Sequence, residues 1–396
     1  MTVLDGLQIS TLRARVARAM DRTPVVDLHT HLFPPEFGDL CLSGPDELLT
    51  YHYLVAETLR FTKEAPETFL TRSKPEQADL VWKTLFVERT PISEATLGVA
   101  ATFVALGLDP TARDLREARS YLKHPIEERI EWVFSLAGVE SVTMTNDPLD
   151  ASERPCYDAG FQGNSRFRAA LRVDPVLFEE HGDTEWTRTY VQAWAERLNA
   201  SYVAASLSPD LDLSGDSEVA IRLRESVLPA LEENGLPLAL MIGVKRRINP
   251  RLELAGDGVG LSDLNGLASL LREYPDVRFL VTTLARENTQ ELCVLARKFS
   301  NLTPFGCWWF QNTPSLVQET TTMRLEMLGT SFVPQHSDAR ILEQLVYKWG
   351  HARRAIATSL SERYIRMAED RIFVTDSQID ADIDDLMRTN ALEALR

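Results

Sequence analysis

The pattern that most limits the fold of this chain is a series of short apolar, β-rich runs separated by amphipathic segments. Several runs, such as LPLALMIGV and VRFLVTTL, are apolar almost throughout, which is typical of buried strands in a parallel sheet. The runs lie at residues 24–31, 139–147, 168–175, 202–208, 236–244, 277–284, 301–310 and 331–338. Eight strands that alternate with helices predict an α/β fold, the (β/α)8 or TIM barrel. An open doubly wound sheet is the alternative, but no glycine-rich turn follows the first run.

A long segment separates the first predicted strand from the second. It contains helix-like stretches, including SEATLGVAATFVALGL and DLREARSYLKHPIEERIEWVFSLAG. A connection of this length inside a compact domain is usually structured or functional. We therefore predict a single domain over residues 1–396, with a helical insertion at residues 40–135 that covers the barrel as a lid.

The composition limits the partners of the chain. Its formal charge of −16 repels nucleic acid and anionic membranes, so an anionic small molecule would need local arginines. The four cysteines are scattered and form no CxxC pair, which is typical of reduced thiols in the cytoplasm. No stretch has the character of a signal peptide or a membrane span. These features predict a cytoplasmic protein that acts on a small molecule.

Two histidines stand at the end of the first predicted strand, in VVDLHTHLFP. Residues i and i+2 of a strand point to one face, so His29 and His31 project together at the edge where barrel enzymes have their active sites. Two imidazoles provide half of a metal site, although an isolated HxH also occurs by chance on loops. The last predicted strand, FVPQHSDAR, supplies a carboxylate from Asp338.

These motifs together resemble the uronate isomerases of the amidohydrolase superfamily. The stretches DLHTHLFP, LLTYHYL, VTMTNDPLD, LRVDP, IGVKRRIN, CWWF and SDAR follow one another as they do in that family. The resemblance extends from residue 24 to the end of the chain, and its most specific motifs are DLHTHLFP, TYHYL and SDAR.

The resemblance implies a metal site and a set of catalytic residues. His29, His31 and Asp338 resemble the ligands of one divalent metal ion, commonly zinc. Tyr53 resembles the family tyrosine that handles the C2 proton of the substrate, and His52 lies beside it. Asp338 is also expected to take part in proton transfer. From the residues alone, an ordinary packing role for Tyr53 and His52 is the competing interpretation.

The resemblance also implies a site for the substrate. The residues expected there are Arg340, Arg172, Arg246, Trp309 and His336. Arginine suits a carboxylate because its planar guanidinium binds both oxygens. A salt bridge with Asp174 is the alternative role for Arg172, and core packing is the alternative for His336 and for one of the two tryptophans in CWWF.

Two positions depart from the family pattern. Met241 stands where related enzymes tend to have a histidine, before Ile-Gly. Near the C-terminus, Glu393 stands close to the place of an arginine that contributes to carboxylate binding. We expect Arg388 or Arg396 to replace that arginine, or the carboxylate site to differ.

We therefore expect an aldose–ketose isomerase that moves a proton between C2 and C1 of a hexuronate through an enediol. A metal-dependent hydrolase of the same superfamily, either a sugar-acid lactonase or a deaminase, is the alternative. A sugar-acid binder without turnover is a third interpretation, which the set of retained residues opposes. The resemblance leaves a homo-oligomer open, and the sequence shows no interface.

Overall fold

The computed structural model describes residues 6–179 and 181–395. A curled parallel sheet with the strand order β1-β2-β3-β4-β5-β8-β9 forms its centre, and β6 and β7 form a separate antiparallel hairpin. The strands are β1 (Val25–Thr30), β2 (Val139–Asn146), β3 (Phe167–Arg172), β4 (Val203–Leu207), β5 (Leu238–Ile242), β6 (Val244–Lys245), β7 (Gly258–Val259), β8 (Phe279–Thr283) and β9 (Leu302–Pro304).

Helices connect and surround these strands. They are α1 (Gly6–Arg22), α2 (Pro45–Leu49), α3 (His52–Thr62), α4 (Pro66–Leu70), α5 (Lys74–Trp82), α6 (Glu94–Ala105), α7 (Ile126–Ala137), α8 (Arg154–Asp158), α9 (Asp174–Phe178), α10 (Thr184–Leu198), α11 (Glu218–Arg222), α12 (Leu228–Asn234), α13 (Asn265–Glu273), α14 (Asn288–Ala296), α15 (Pro314–Leu328), α16 (Gln344–Glu369), α17 (Asp376–Asp384) and α18 (Asn390–Ala394). No helix within residues 6–179 and 181–395 has the length and apolar character needed to cross a membrane.

Local sequence signals explain where these helices begin and end. Helix α10, for example, begins after Asp183, whose side chain accepts a hydrogen bond from the backbone N–H of Trp186. It ends at Asn199, which adopts the left-handed conformation that closes many helices. The prediction of parallel strands alternating with helices is confirmed for the first seven apolar runs, each of which contains a sheet strand.

The eighth run, residues 331–338, forms no regular strand. Pro334 has no N–H to donate to a ladder, and Asp338 has a φ of 50°. The segment nevertheless lies between β9 and β1. Val333 bridges to Phe305 beyond β9, while on the other side the N–H of Asp338 donates to the carbonyl of His29 at 3.0 Å.

The seventh run also ends earlier than its sequence predicts. Strand β9 ends at Pro304, and the chain turns at Gly306, which has a φ of 68°. The two tryptophans of CWWF therefore lie beyond the strand, contrary to the prediction that they belong to it. Trp309 begins a short 3-10 turn, Trp309–Gln311.

The segment between β1 and β2 is helical and has an apolar cluster of its own. Side chains from α2, α3, α5 and α6, including the buried Trp82 and Phe103, form this second cluster. Leu252, from the connection between β6 and β7, packs against it. The helices that follow β1 are thus joined to the hairpin connection by apolar contact.

The C-terminal helix α18 covers one end of the curled sheet. Ala391 and Ala394 of α18 pack against Val26 and other side chains inside the curled sheet. Arg278, which precedes β8, donates to the backbone carbonyl of Glu393 at 3.1 Å. Helix α18 therefore lies at the amino ends of the strands.

Gly306 allows the turn after β9 to pack against the imidazole of His336. A Cβ atom at this position would lie 1.9 Å from Cδ2 of His336, and the backbone φ is unfavourable for other residues. We predict that Gly306→Ala lowers the free energy of unfolding by about 3 kcal/mol or more, the sum of backbone strain and overpacking. Urea denaturation measures this change.

Gly235→Ala is the matched control for this prediction. Gly235 also has a positive φ, but nothing lies within 4 Å of its added Cβ. Its substitution should cost only the left-handed penalty of roughly 1–2 kcal/mol. Equal losses for the two variants would show that the contact with His336 contributes nothing.

Candidate active site

Three side chains that were predicted as metal ligands converge at the carboxyl ends of the strands. Nε2 of His31 lies 3.4 Å from Oδ1 of Asp338, and Nε2 of His29 lies 3.7 Å from the same oxygen. One ligand atom from each residue lies within 4.8 Å of the others. These separations suit three ligands that each approach one ion at roughly 2 Å.

The hydrogen bond at the far side of His29 fixes its tautomer. The Tyr202 hydroxyl donates to the carbonyl of Leu28 at 2.7 Å. Its single proton is therefore used, so it accepts a hydrogen bond from Nδ1 of His29 at 3.2 Å. With the proton on Nδ1, the Nε2 atom presents a lone pair toward Asp338.

His31 is arranged in the same way. The Thr145 hydroxyl donates to the carbonyl of Thr30 at 2.7 Å and accepts from Nδ1 of His31 at 3.2 Å. Two unprotonated nitrogens and a carboxylate oxygen thus face one another without a proton between them. Three electron-rich atoms repel in this arrangement, and a cation bound among them removes the repulsion. The donor set therefore fits a divalent metal ion.

Burial keeps these groups in the protonation states that metal binding requires. It lowers the pKa of His29 to about 4 and that of His31 to about 3, so both imidazoles are neutral at neutral pH. Burial alone would raise the pKa of Asp338, but the neighbouring imidazole of His31 and the positive charge of Lys348 hold it below its usual range. The carboxyl group of Asp338 is therefore an anion.

A second carboxylate, Asp27, holds the ligand segment in place. Its Oδ1 accepts the N–H of Ser337 at 3.0 Å, and its Oδ2 accepts Nε1 of Trp349 at 2.8 Å. Burial raises the pKa of Asp27 to about 6, against the opposing effect of these hydrogen bonds. Asp27 thus connects β1 to the residue before Asp338 and to helix α16.

The three ligands open into a cavity of about 690 Å³ that four arginines line. Arg172 pairs with Asp174 at 3.2 Å, and Arg246 pairs with Asp257 at 2.6 Å. The guanidinium groups of Arg340 and Arg247 form no ion pair within the part of the chain that the structure describes. This end of the molecule offers unpaired cationic donors to an anionic ligand, in spite of the net negative charge.

The tyrosine motif lies at the wall of this cavity. Tyr51 and His52 line the cavity, whereas Tyr53 lines an adjoining apolar cavity of about 240 Å³. The rings of Tyr51 and Tyr53 contact each other edge to face, and burial raises the pKa of both phenols above the ordinary value. Burial also lowers the pKa of His52 to about 3, which keeps its imidazole neutral.

Trp309 and His336, both predicted to bind substrate, differ in their position relative to the two cavities. Trp309 lines both cavities. His336 lines neither; its buried ring packs against His29 and Phe305, and neither of its nitrogens has a hydrogen-bond partner within the described residues.

The two departures from the family pattern have different positions. Met241 lines the main cavity. The expectation that Arg388 replaces the C-terminal arginine is wrong, because Arg388 pairs at 2.7 Å with Glu140, near the amino end of β2. Glu393 also lies at that end, and Arg396 lies outside the described residues. The arginines that line the cavity come from other segments.

Sequence reasoning did not single out Tyr51, Tyr202, Arg247 or Lys348. Tyr202 and Lys348 come from distant parts of the chain and reach the ligands through hydrogen bonds that no local pattern reveals. The second arginine of KRRIN was the only available signal for Arg247.

Comparisons with known proteins point to one group of enzymes. No profile of a protein family matches the chain, and no curated protein is similar enough to match it. A solved structure of a uronate isomerase from Bacillus halodurans C-125 is similar, with 45% identity over 100% of this chain and 97% of that one and a TM-score of 0.95.

Two more distant solved structures share the fold. A uronate isomerase from Thermotoga maritima is 15% identical over 100% of both chains, with a TM-score of 0.73. A glucuronate isomerase from Caulobacter crescentus is 18% identical over 99% of this chain and 95% of that one, with a TM-score of 0.64.

We predict that His29→Ala and His31→Ala each lower the bound metal by about tenfold or more, because each removes a lone pair from the convergent set. Metal content of purified protein, measured by mass spectrometry, tests this. His124→Ala, at an exposed histidine, is the control and should retain the metal. Full occupancy in either of the first two variants would remove that histidine from the ligand set.

Proposed function

The chain belongs to the uronate isomerase family, and we propose that it interconverts the aldose and ketose forms of a hexuronate at the site of His29, His31 and Asp338. The substrate pair is D-glucuronate and D-fructuronate, or D-galacturonate and D-tagaturonate. The observation that carries the proposal is the convergence of three metal-ligand atoms beside the unpaired guanidinium of Arg340.

One divalent metal ion, which we propose to be zinc, would be held by His29, His31 and Asp338. When bound, it supplies a positive charge that polarises oxygens of the substrate. The protein itself keeps both histidines neutral and correctly oriented through Tyr202 and Thr145.

The reaction moves one proton from C2 to C1, while the hydroxyl proton of O2 is lost and O1 gains one, so no oxidant is required. We assign acceptance of the C2 proton to the anionic carboxylate of Asp338. Burial keeps the phenols of Tyr51 and Tyr53 protonated, so we do not assign the C2 proton to Tyr53, the residue that the resemblance implies for it. The hydroxyl of Tyr51, in the wall of the main cavity, donates toward the substrate oxygens, and Tyr53 acts through its contact with Tyr51. The neutral imidazole of His52 lines the same wall and assists this transfer.

The substrate carboxylate is assigned to the arginines of the cavity. Arg340 lines the cavity and is the principal group because its guanidinium forms no ion pair with a carboxylate among the described residues. Arg172 and Arg246 are partly neutralised by Asp174 and Asp257, so we assign them to hydroxyl oxygens and to the local positive charge. Trp309 forms part of the wall.

The fold is proposed to be a closed (β/α)8 barrel in which residues 331–338 take the eighth position. Their hydrogen bonds to β1 and their bridge beside β9 support this closure. Residues 40–135 are proposed as an insertion that covers the cavity within one domain of residues 1–396. The contact between Leu252 and the insertion's apolar cluster supports a cover formed from both sides.

The surroundings of the enzyme are also a proposal. Four free cysteines support a reducing, cytoplasmic compartment. The net charge of −16 opposes nucleic acid and anionic membranes as partners. Self-association of the chain stays open as a prediction for measurement in solution.

The hydrolase alternative has less support. Strands β5 and β8 carry no histidine, whereas deaminases and many lactonases of the superfamily use one there. The relative that is 45% identical is a uronate isomerase.

Proton NMR in D₂O tests the proposed function directly. Metal-loaded protein should remove the C2 proton signal of D-glucuronate or D-galacturonate and form the corresponding ketose, because the abstracted proton exchanges with solvent. His29→Ala is the inactive control. Silence on both sugars by protein with a full metal site would contradict the proposal.

The same assay separates the two tyrosines. Tyr51→Phe should slow C2 exchange by about 100-fold or more, because it removes a donor from the wall of the main cavity. Tyr53→Phe should slow it by less, because Tyr53 acts through its contact with Tyr51. Unchanged exchange in Tyr53→Phe would limit the role to Tyr51.

We predict that Arg340→Met raises KM for the hexuronate about 10- to 100-fold, the usual value of a lost charge-assisted hydrogen bond. Metal content should not change. Arg246→Met should have a smaller effect because Asp257 already neutralises Arg246. Steady-state kinetics measure both, with Arg286→Met, at an exposed ion pair, as the control. A wild-type KM in Arg340→Met would assign the carboxylate to another residue, such as Arg247.

A further inference from the structure

Lys348, near the start of α16, is a buried lysine whose partners are backbone carbonyls. Its side chain is only 7% exposed. The ammonium donates to the carbonyl of Ser337 at 2.7 Å and to that of Asp338 at 3.1 Å. It forms no ion pair with a carboxylate among residues 6–179 and 181–395. Burial of a charge without an ion pair costs free energy. The structural role of the two hydrogen bonds to carbonyls therefore has to be identified.

The two carbonyls belong to the peptide units on either side of the Asp338 backbone. Asp338 has a φ of 50°, which side-chain-bearing residues adopt only when neighbouring contacts hold them there. The N–H of Ser337 is bound by Asp27, and the N–H of Asp338 by the carbonyl of His29. The N–H groups of both residues are therefore bound, and the ammonium of Lys348 binds both of their carbonyls.

The direction of the Asp338 side chain follows from this backbone conformation. Its Oδ1 atom must lie between the Nε2 atoms of His29 and His31, at 3.7 and 3.4 Å. Rotation of either flanking peptide would turn the Cα–Cβ bond and move the carboxylate away from the imidazoles. The contacts of Lys348 oppose that rotation at both peptides.

Lys348 does not take part in the main cavity. It lines the adjoining apolar cavity of about 240 Å³ and is absent from the wall of the larger one. Its ammonium is therefore placed to act on the backbone behind the metal ligands, and not on a substrate.

We propose that Lys348 is a positioning residue that holds the Asp338 carboxylate in its ligand geometry by binding the carbonyls of Ser337 and Asp338. Only the expected effect of Lys348 on turnover rests on the proposed isomerase function. Its effect on the metal site stands on the geometry of residues 337–338 alone.

The test compares Lys348→Met with Tyr347→Phe. Methionine keeps most of the volume of lysine and removes the donor. Tyr347 is the neighbouring residue, lines the same small cavity, and donates to Glu94 and not to residues 337–338. Loss of a buried polar group is common to both variants, whereas only the first removes the contacts to the ligand backbone.

We predict that Lys348→Met lowers the affinity for Zn²⁺ about 10- to 100-fold, the usual effect of removing an outer partner of a metal ligand. Chelator competition measures the affinity. The visible absorption spectrum of the Co²⁺-loaded protein should also change in this variant, because the coordination geometry loosens. Tyr347→Phe should preserve both properties, and circular dichroism reports whether each variant is folded.

Lys348→Gln serves if Lys348→Met does not fold. Its amide is one atom shorter and cannot bind both carbonyls as lysine does, so its Zn²⁺ affinity should also fall. Wild-type affinity and an unchanged Co²⁺ spectrum in either folded variant would overturn the proposal. These measurements use no sugar, so their failure is distinguishable from a failure of the isomerase assay.

Discussion

The buried carboxylate of Asp27 is the interaction on which the site depends, because it joins three parts of the chain that regular secondary structure does not connect. It accepts hydrogen bonds from Ser337 in the irregular eighth segment and from Trp349 in α16, and it lies in β1 close to His29 and His31, the proposed metal ligands. Burial favours its neutral form, and the donated hydrogen bonds favour the anion. The eighth segment can therefore be irregular and still have a fixed position beside β1.

The irregular backbone of that segment determines the direction of the Asp338 side chain. A regular strand would alternate its side chains and keep φ negative, whereas Asp338 has a positive φ that turns its carboxylate toward both imidazoles. Each ligand is then fixed from behind, the histidines by Tyr202 and Thr145 and the carboxylate backbone by Lys348. Strain at one residue is tolerated because several hydrogen bonds determine its conformation.

The parts of this arrangement that are local in sequence could be predicted, and the parts that are distant could not. Seven strands follow from continuous apolar runs, and the shared face of His29 and His31 follows from the pleat. The irregular path through Pro334 was predicted as a strand because the run begins with the apolar residues Phe332 and Val333. The contact of Lys348 depends on how α16 packs over the sheet. The position of Arg388 could not be predicted either, because its ion pair with Glu140 depends on how the C-terminal segment packs near the amino end of β2.

The proposed binding of an anion in the cavity follows from the pairing of its arginines and not from the net charge of the chain. The chain is strongly acidic, yet Asp174 and Asp257 neutralise only two of the four arginines that line the cavity. The unpaired guanidinium of Arg340 follows Asp338 by two residues, so the segment that carries the metal-ligand carboxylate also carries the group assigned to the substrate carboxylate. Any displacement of this segment would alter the metal site and the anion site together. The hydrogen bonds of Asp27 and Lys348 to residues 337–338 therefore help to fix the position of Asp338 relative to Arg340, and under the proposed function this position orients the acid end of the sugar relative to its reacting carbons.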